Sequence, residues 1–404
     1  MLKDVMIVEA VRTPFSPFGG LLRDIPSIEL GACVIKEIVN RSGLKGNQID
    51  ELFYGMTLMA EAALYNNVCA RQAALIAGLP PEQVSLTIDR ACCSSMTASI
   101  LAFRTIRSGE GDVIMAVGAE NMSHCPQIAP PELRWGQKLG PIVFRDCISP
   151  VGHPNFPPEA KNAGDVAVQF GSGREEQDEW AYRSQIRYQE AKKAGKFRIG
   201  EELTCVEVSQ RKGPPLVFTE DAFPKPDTTL EKLAKLKTIY DSPTVTPGNA
   251  PGLDTGASAL LIMSGEKMKE FSLRPLAKII ATASVCTEPT MIAVNPGLAI
   301  KKVLSKAGMT IGDIALIEIN EAFAAVPLVS SKILADGEGE RTKKIRERLN
   351  VNGGAIAIGH PVGASGARIV MTLIYELRRR GGGYGTAAIC GGLGQGDAVL
   401  IKVE

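Results

Sequence analysis

Short, nearly unbroken apolar runs alternate along this chain with longer stretches in which apolar residues recur every three or four positions. Val5 to Val8, Val113 to Val117, Ala315 to Ile319 and the run ending Ala387-Ala388-Ile389-Cys390 are of the first kind. Strands that stay apolar on both faces belong to a sheet covered by helices on both sides, so the pattern predicts an α/β architecture. The helical stretches follow Cys92-Cys93-Ser94-Ser95 as far as Arg107, and Gly363-Ala364-Ser365-Gly366 as far as Arg380. Each then passes through glycines into one of the apolar runs, so one helix–turn–strand unit is written twice.

A second pair of segments repeats at a constant offset of 265 residues: Ile35 to Leu44 parallels Ile300 to Met309. The register continues where Ile49, Leu52 and Tyr54 meet Ile314, Ile317 and Ile319. A helix, a turn and a buried strand therefore recur, as expected of a duplicated half. Between the halves the character changes near Met122. Pro126, Pro130, Pro131, Pro141, Pro150, Pro154, Pro157 and Pro158 predict irregular loop, because proline removes a backbone donor and fixes φ. Ser172-Gly173-Arg174-Glu175 then has the spacing of a capping box before a helix carrying Trp180 and Tyr182. The expected division is residues 1–121 as an N-terminal half completed by 244–274, an inserted loop or lid domain at 122–243, and a C-terminal half at 275–404.

Composition narrows the function. A chain of 404 residues is long enough for two lobes around a substantial core, and 45 basic against 44 acidic residues leave no charge footprint for nucleic acid or an anionic membrane surface. No apolar run is long enough to span a bilayer, and no apolar core of signal-peptide length precedes the first strand. Nine scattered cysteines without a Cys-x-x-Cys pair argue against a disulfide framework and a zinc site, and fit a reducing, cytoplasmic setting.

Four places carry candidate chemistry. Cys92 lies just before a helix whose small residues allow close packing, where the helix dipole and backbone N–H groups would favour a thiolate. A cysteine in an apolar setting also serves simply as a small core residue. His360, one of three histidines, stands among glycines from Gly353 to Gly366, a pattern that lets backbone approach a ligand closely. Cys390 ends a strand and enters Gly391-Gly392-Leu393-Gly394, whose N–H groups are placed to hold an oxyanion. Asn320, with Glu321, follows directly on a buried strand, where ligand contacts gather in α/β sheets, or where a helix cap would stand.

Taken with Val8-Glu9-Ala10-Val11-Arg12-Thr13-Pro14, Gly118-Ala119-Glu120-Asn121-Met122-Ser123, Arg174-Glu175-Glu176-Gln177-Asp178, Gly248-Asn249-Ala250, Asn320-Glu321-Ala322-Phe323 and Gly359-His360-Pro361, these segments resemble the thiolases, in the family's order and over nearly the whole chain. The resemblance implies a five-layer αβαβα sandwich of two duplicated halves with an inserted loop domain. It implies an acyltransferase that cleaves a 3-oxoacyl-CoA with CoA, or runs the reverse Claisen condensation, in metabolism of the fatty-acid type. Cys92 then matches the acylated nucleophile, His360 the residue that activates it, and Cys390 the general acid/base. Asn320, through a water, and His360 match one oxyanion site, and the backbone N–H groups of Cys92 and Gly392 the other. CoA and acyl-CoA enter as substrates, no metal or bound cofactor is called for, and a homodimer or homotetramer is expected.

Three departures stand out. Ser95 replaces the usual glycine and is expected to narrow the pocket floor. The family's Met-Gly-x-Thr-Ala-Glu segment is here Glu159-Ala160-Lys161-Asn162-Ala163-Gly164-Asp165, and the serine usual after Gly-Asn-Ala is Pro251. Both of these changes are expected to strip polar groups from the CoA and acyl tunnel, so the CoA-contacting residues are left unassigned and an acyl chain other than plain acetyl is expected. The rival readings are a ketoacyl synthase of related fold, which would lack Cys390, and a non-catalytic acyl-CoA-binding protein on the same scaffold.

Overall fold

The computed structural model of the 404-residue chain describes residues 2–148 and 155–404. Pro150 and Pro154, counted above in the inserted loop, lie outside the described residues. The strands are β1 (Val5–Arg12), β2 (Glu51–Gly55), β3 (Val84–Ile88), β4 (Val113–Asn121), β5 (Asp254–Ser264), β6 (Ala277–Cys286), β7 (Leu316–Ile319), β8 (Gly383–Gly391) and β9 (Gln395–Val403). They hydrogen-bond in the order β7-β8-β9-β6-β1-β5-β4-β2-β3. The two halves of this order match, with β6, β9, β8 and β7 in the places of β1, β5, β4 and β2. Between them β1 and β6 pair over only three positions, from Val5↔Ile279 to Ile7↔Ala277.

Side-chain alternation makes this sheet into layers, because successive residues of a strand face opposite sides. In β4, Ile114 and Ala116 pack inward while Met115, Val117 and Ala119 pack outward. In β9, Val399 and Ile401 face inward while Ala398 and Leu400 face outward. Both inward sets meet on the same two helices, α2 (Ser94–Ser108) and α7 (Ser365–Arg379), which touch strands of both halves. The outward faces are covered by α1 (Ser27–Ser42) on one half, and by α5 (Asn295–Ala307) and α6 (Ala325–Leu334) on the other. The result is the five-layer αβαβα sandwich.

The central position of α7 explains its sequence. Every residue from Ser365 to Leu377 is buried, as a helix walled by sheets on two sides requires. Gly366 allows the closest approach: a Cβ there would stand 2.5 Å from Met96 N on α2. The duplication also reaches the helix ends. Helices α1 and α5 stop at Gly43 and Gly308, with φ of 68° and 67°, the left-handed stop that glycine adopts without a Cβ clash.

The segment between β4 and β5 holds α3 (Glu159–Gln169), α4 (Arg174–Lys193) and a two-stranded ribbon, Val206–Val208 with Leu216–Phe218. It is tied to both halves by buried polar bonds. The fully buried Arg12 guanidinium at the end of β1 donates to Glu202 Oε1 at 2.7 Å and to both Asp221 oxygens at 2.7 and 2.9 Å. Trp180 Nε1 and Ser184 Oγ of α4 donate to the two oxygens of Glu321 at 2.9 and 2.7 Å. The expected capping box does not form. Gly173 is the N-cap of α4 and makes no side-chain bond, because the Ser172 hydroxyl is engaged by Lys332 Nζ at 2.8 Å.

Candidate active site

Cys92 sits on the turn from β3 into α2. Ala91 takes a positive φ of 49°, and the Ser94 hydroxyl locks the turn by donating to Ala91 O at 2.7 Å while accepting from Arg90 N at 2.9 Å. Arg90 ties the turn to the other half, donating to Asp397 Oδ1 at 2.7 Å. Cys92 is left half-buried, whereas the thiol of the fully buried Cys93 points into the core at Ile389 O, 3.7 Å away. Adjacent cysteines thus have opposite fates: one faces the site, the other packs.

The backbone N–H groups of Cys92 and Gly392 both reach the Cys92 sulfur. Their pull is not the largest effect. Burial first, then the charge of Glu159, pushes the Cys92 thiol up to about 12, against the two N–H groups that lower it. The N–H groups at the helix start favour the thiolate, but desolvation in this pocket outweighs them, so at rest Cys92 is held toward the neutral thiol. Cys390, buried at the end of β8, is likewise raised well above an ordinary thiol, by burial and then by Cys92 and Glu159.

His360 is fixed from several sides. Its backbone N–H donates to Asp254 Oδ2 at 2.6 Å, and its Nδ1 lies 2.6 Å from Ser365 Oγ. The Ser365 hydroxyl donates to Pro361 O at 2.9 Å, so it is an acceptor toward the ring and places the proton on Nδ1. Nε2 is then the basic nitrogen. Burial, with the charge of Arg368, lowers the imidazole to about 3, so it is neutral across the physiological range.

Asn320 does not cap the following helix, whose N-cap is Ala324. It continues β7 past the pair Ile319↔Ala388, with its N–H bonded to Ala388 O at 3.0 Å, which sets it beside the Cys390 end of β8. Arg368 Nη2 donates to Asn320 Oδ1 at 3.1 Å, and this orients the amide nitrogen toward His360. That nitrogen is 3.4 and 3.5 Å from the two ring nitrogens, so the amide lies against the ring rather than donating to one atom. The start of α7 below His360 meets the start of α2 below Cys92, where Ala367 N donates to Ser95 Oγ at 3.0 Å. Ser95 is accordingly not a pocket floor: its buried hydroxyl satisfies a helix-terminal donor at the junction of the two central helices.

Several residues around the site escaped the sequence reading. Glu120, at the end of β4, accepts from Thr57 N, Leu58 N and Gly363 N at 3.1, 3.0 and 2.9 Å, and so anchors the loop after His360. Burial holds its carboxyl up at about 7. The rule that found Asn320, a polar residue closing a buried strand, would have found Glu120 too. Glu159 opens α3, and its Oε1 accepts from Leu393 N at 3.0 Å, in the turn after Cys390. The altered 159–165 segment thus brings a carboxylate to the site where loss of polar groups was expected. Pro251 is half-buried in the link from Asn249 to β5.

Asp254 supplies a pH test of this framework. Burial raises its carboxyl from the ordinary 3.8 to about 7, and among the described residues nothing donates to its Oδ1. Between those values the folded protein keeps a proton that the unfolded chain has lost, so stability is full below the ordinary carboxylate range and falls as pH rises toward 7. Asp254→Asn keeps an acceptor for His360 N–H and cannot titrate. Its Tm should fall less steeply than the wild type's from about pH 4 to about pH 7; parallel curves would refute the assignment.

A half-buried thiol held by two backbone N–H groups beside a second thiol, with a neutral imidazole at the start of the helix that packs against its own, is equipped for acyl transfer through a thioester. Residues 5–266 match the family description "Thiolase, N-terminal domain" and residues 273–403 match "Thiolase, C-terminal domain". The chain is 40% identical to an acetyl-CoA acetyltransferase of Syntrophomonas wolfei subsp. wolfei, with all of both chains covered. Its fold matches the crystal structure of the Bacillus anthracis acetyl-CoA acetyltransferase with a TM-score of 0.92 at 38% identity, covering 100% of this chain and 99% of that one. It matches human mitochondrial 3-ketoacyl-CoA thiolase in complex with CoA with a TM-score of 0.91 at 36% identity, covering 100% and 98%. The chain belongs to the thiolase family, and its activity is that of a thiolase, an acyltransferase.

Proposed function

We propose that this thiolase cleaves a 3-oxoacyl-CoA with CoA through an acyl group carried on Cys92, and runs the reverse condensation by the same path. The observation that carries the reading is the pair of backbone N–H groups, from Cys92 and Gly392, converging on the Cys92 sulfur opposite Cys390. His360 Nε2 takes the Cys92 proton as the sulfur attacks the 3-oxo carbon, and the two N–H groups hold the alkoxide that forms. The C2–C3 bond then breaks, leaving the acyl group on sulfur and its electron pair in the enolate of acetyl-CoA. Asn320, through a water, and the now protonated His360 hold the enolate oxygen, while the Cys390 thiol protonates C2. Cys390 next takes the thiol proton of incoming CoA, whose sulfur attacks the thioester and carries off the acyl group, and His360 returns its proton to the Cys92 thiolate that leaves.

The high thiol pKa values suit this cycle, since each thiolate is generated only against a bound partner that stabilises it. The assembly reading is a homodimer or homotetramer. It is supported by β3, an edge strand of the sheet whose Val84 and Leu86 side chains are exposed. The cellular reading is a cytoplasmic enzyme of fatty-acid-type acyl metabolism. The test is CoA-dependent loss of the 3-oxoacyl enolate absorbance across a chain-length panel starting at acetoacetyl-CoA. Turnover that requires free CoA and yields acetyl-CoA supports the reading. Folded protein that binds CoA but turns over none of the panel contradicts it.

A further inference from the structure

Away from the active site, two cysteines meet where the inserted segment crosses α1. Cys33 lies on α1 and is half-buried, while Cys205 is exposed and stands directly before the strand Val206–Val208. The Cys33 thiol donates to Cys205 O at 3.7 Å, a contact across 172 positions of chain. Both residues line one open cavity of about 510 Å3, together with Glu29, Lys36 and Glu207. The backbone on either side is held: Arg41, on the same helix, donates to Glu201 O and, at 2.9 Å, to Leu203 O, and Thr204 N donates to Arg12 O at 2.9 Å. Thr204 and Val206 are buried, so strand alternation turns Cys205 between them toward the cavity. Burial, and then the charge of Cys205, pushes the Cys33 thiol up to about 11, which sets the two sulfurs in each other's field.

Acyl transfer on Cys92 has no use for these two sulfurs. We infer that Cys33 and Cys205 are a modification site, a thiol pair that a peroxide closes into a reversible disulfide between α1 and the inserted segment. Cys205, the exposed thiol, attacks one oxygen of hydrogen peroxide; the O–O bond breaks, the sulfur becomes a sulfenic acid, and the other oxygen leaves as water with the thiol proton. Cys33 then attacks that sulfur. The S–S bond forms, the S–O bond breaks, and the hydroxyl leaves as a second water with the Cys33 proton. Two thiols lose two electrons and the peroxide gains them. The second step is intramolecular, which offsets the small thiolate fraction of Cys33. The catalytic sulfurs are shielded by contrast, because peroxide oxidises thiolates: Cys390 is buried, and Cys92 is held up at about 12.

The test treats the whole enzyme with hydrogen peroxide, blocks the remaining thiols with N-ethylmaleimide and digests with trypsin without reductant. The peptide spanning residues 24–36 should appear joined to the peptide spanning 199–211, and dithiothreitol should separate them. The oxidised enzyme should gain about 2 to 8 °C in Tm, as closing so long a loop implies. It should keep more than about half of its thiolysis rate, since Cys92 stays reduced. Cys33→Ser should leave Cys205 as a sulfenic acid that dimedone labels, and Cys205→Ser should leave Cys33 reduced. Cys286, which is also exposed, is the internal control. A link between the two peptides no more frequent than links of either to the Cys286 peptide overturns the inference. Dimedone labelling of Cys205 in the wild type with Cys33 still free overturns it too, as does oxidation of Cys92 before any link has formed.

Discussion

Cys92→Ser should lower kcat for thiolysis by a factor on the order of 10³ to 10⁶ while leaving the thermal transition within a degree or two of the wild type. The site is built around sulfur. A hydroxyl is a far weaker acid than even the raised thiol, and His360, held near 3, is too weak a base to compensate. Stability should barely change, because Cys92 is only half-buried and the bonds that fix its turn come from Ser94 and Arg90. Cys93→Ser provides the contrast. It places a hydroxyl in the core, where Cys93 is fully buried, and should lower Tm with a much smaller effect on kcat. If the two variants exchange these phenotypes, the nucleophile has been assigned to the wrong sulfur.

His360→Ala should reduce kcat/KM by about 10² to 10⁴, the usual range for a general base that also donates to a developing oxyanion. The wild-type pH profile is the finer test. A histidine lowered to about 3 is already deprotonated well below neutrality, so kcat/KM should show no acid limb belonging to His360 between pH 5 and 7. Ser365→Ala removes the acceptor that keeps the proton on Nδ1, 2.6 Å away, and should lower kcat more than it raises KM. A bell with an acid limb near pH 6.5 that disappears in His360→Ala would mean that the ring is solvated and that its partners do not hold it as described.

The architecture was legible in the sequence wherever local pattern decides it. The 265-residue offset located α1 against α5 and β2 against β7, since apolar periodicity and a helix-stopping glycine are written within one segment. Asn320 was open to either a ligand or a capping role; the following helix takes Ala324 as its N-cap, and the Asn320 amide is oriented instead by Arg368, 48 positions further on. Partner choice across such distances leaves no local signature. The same holds for Glu120, which reaches Gly363 across 243 positions, and for Asp254, which holds His360 N–H across 106. Ser172 had the spacing of a cap, yet Lys332, 160 positions away, has its hydroxyl. Ser95 looked like a pocket residue because it stands three places from Cys92, but a helix turns that side chain onto α7. The protonation states were the least legible of all, since they depend on burial, and the sequence around Cys92 displays the helix terminus but not the carboxylate of Glu159.

The most direct measurement is the position of the acyl group on the enzyme. Protein mixed with acetoacetyl-CoA and no free CoA, quenched in acid and digested with trypsin, should carry one acetyl group on the peptide that begins at Ala91 and ends at Arg104. Fragmentation must separate the adjacent sulfurs. Acetyl on Cys92, lost on adding CoA and absent from Cys92→Ser, is the predicted result. Acetyl on Cys93 or Cys390, or turnover with no acyl-enzyme on any cysteine, would contradict the account.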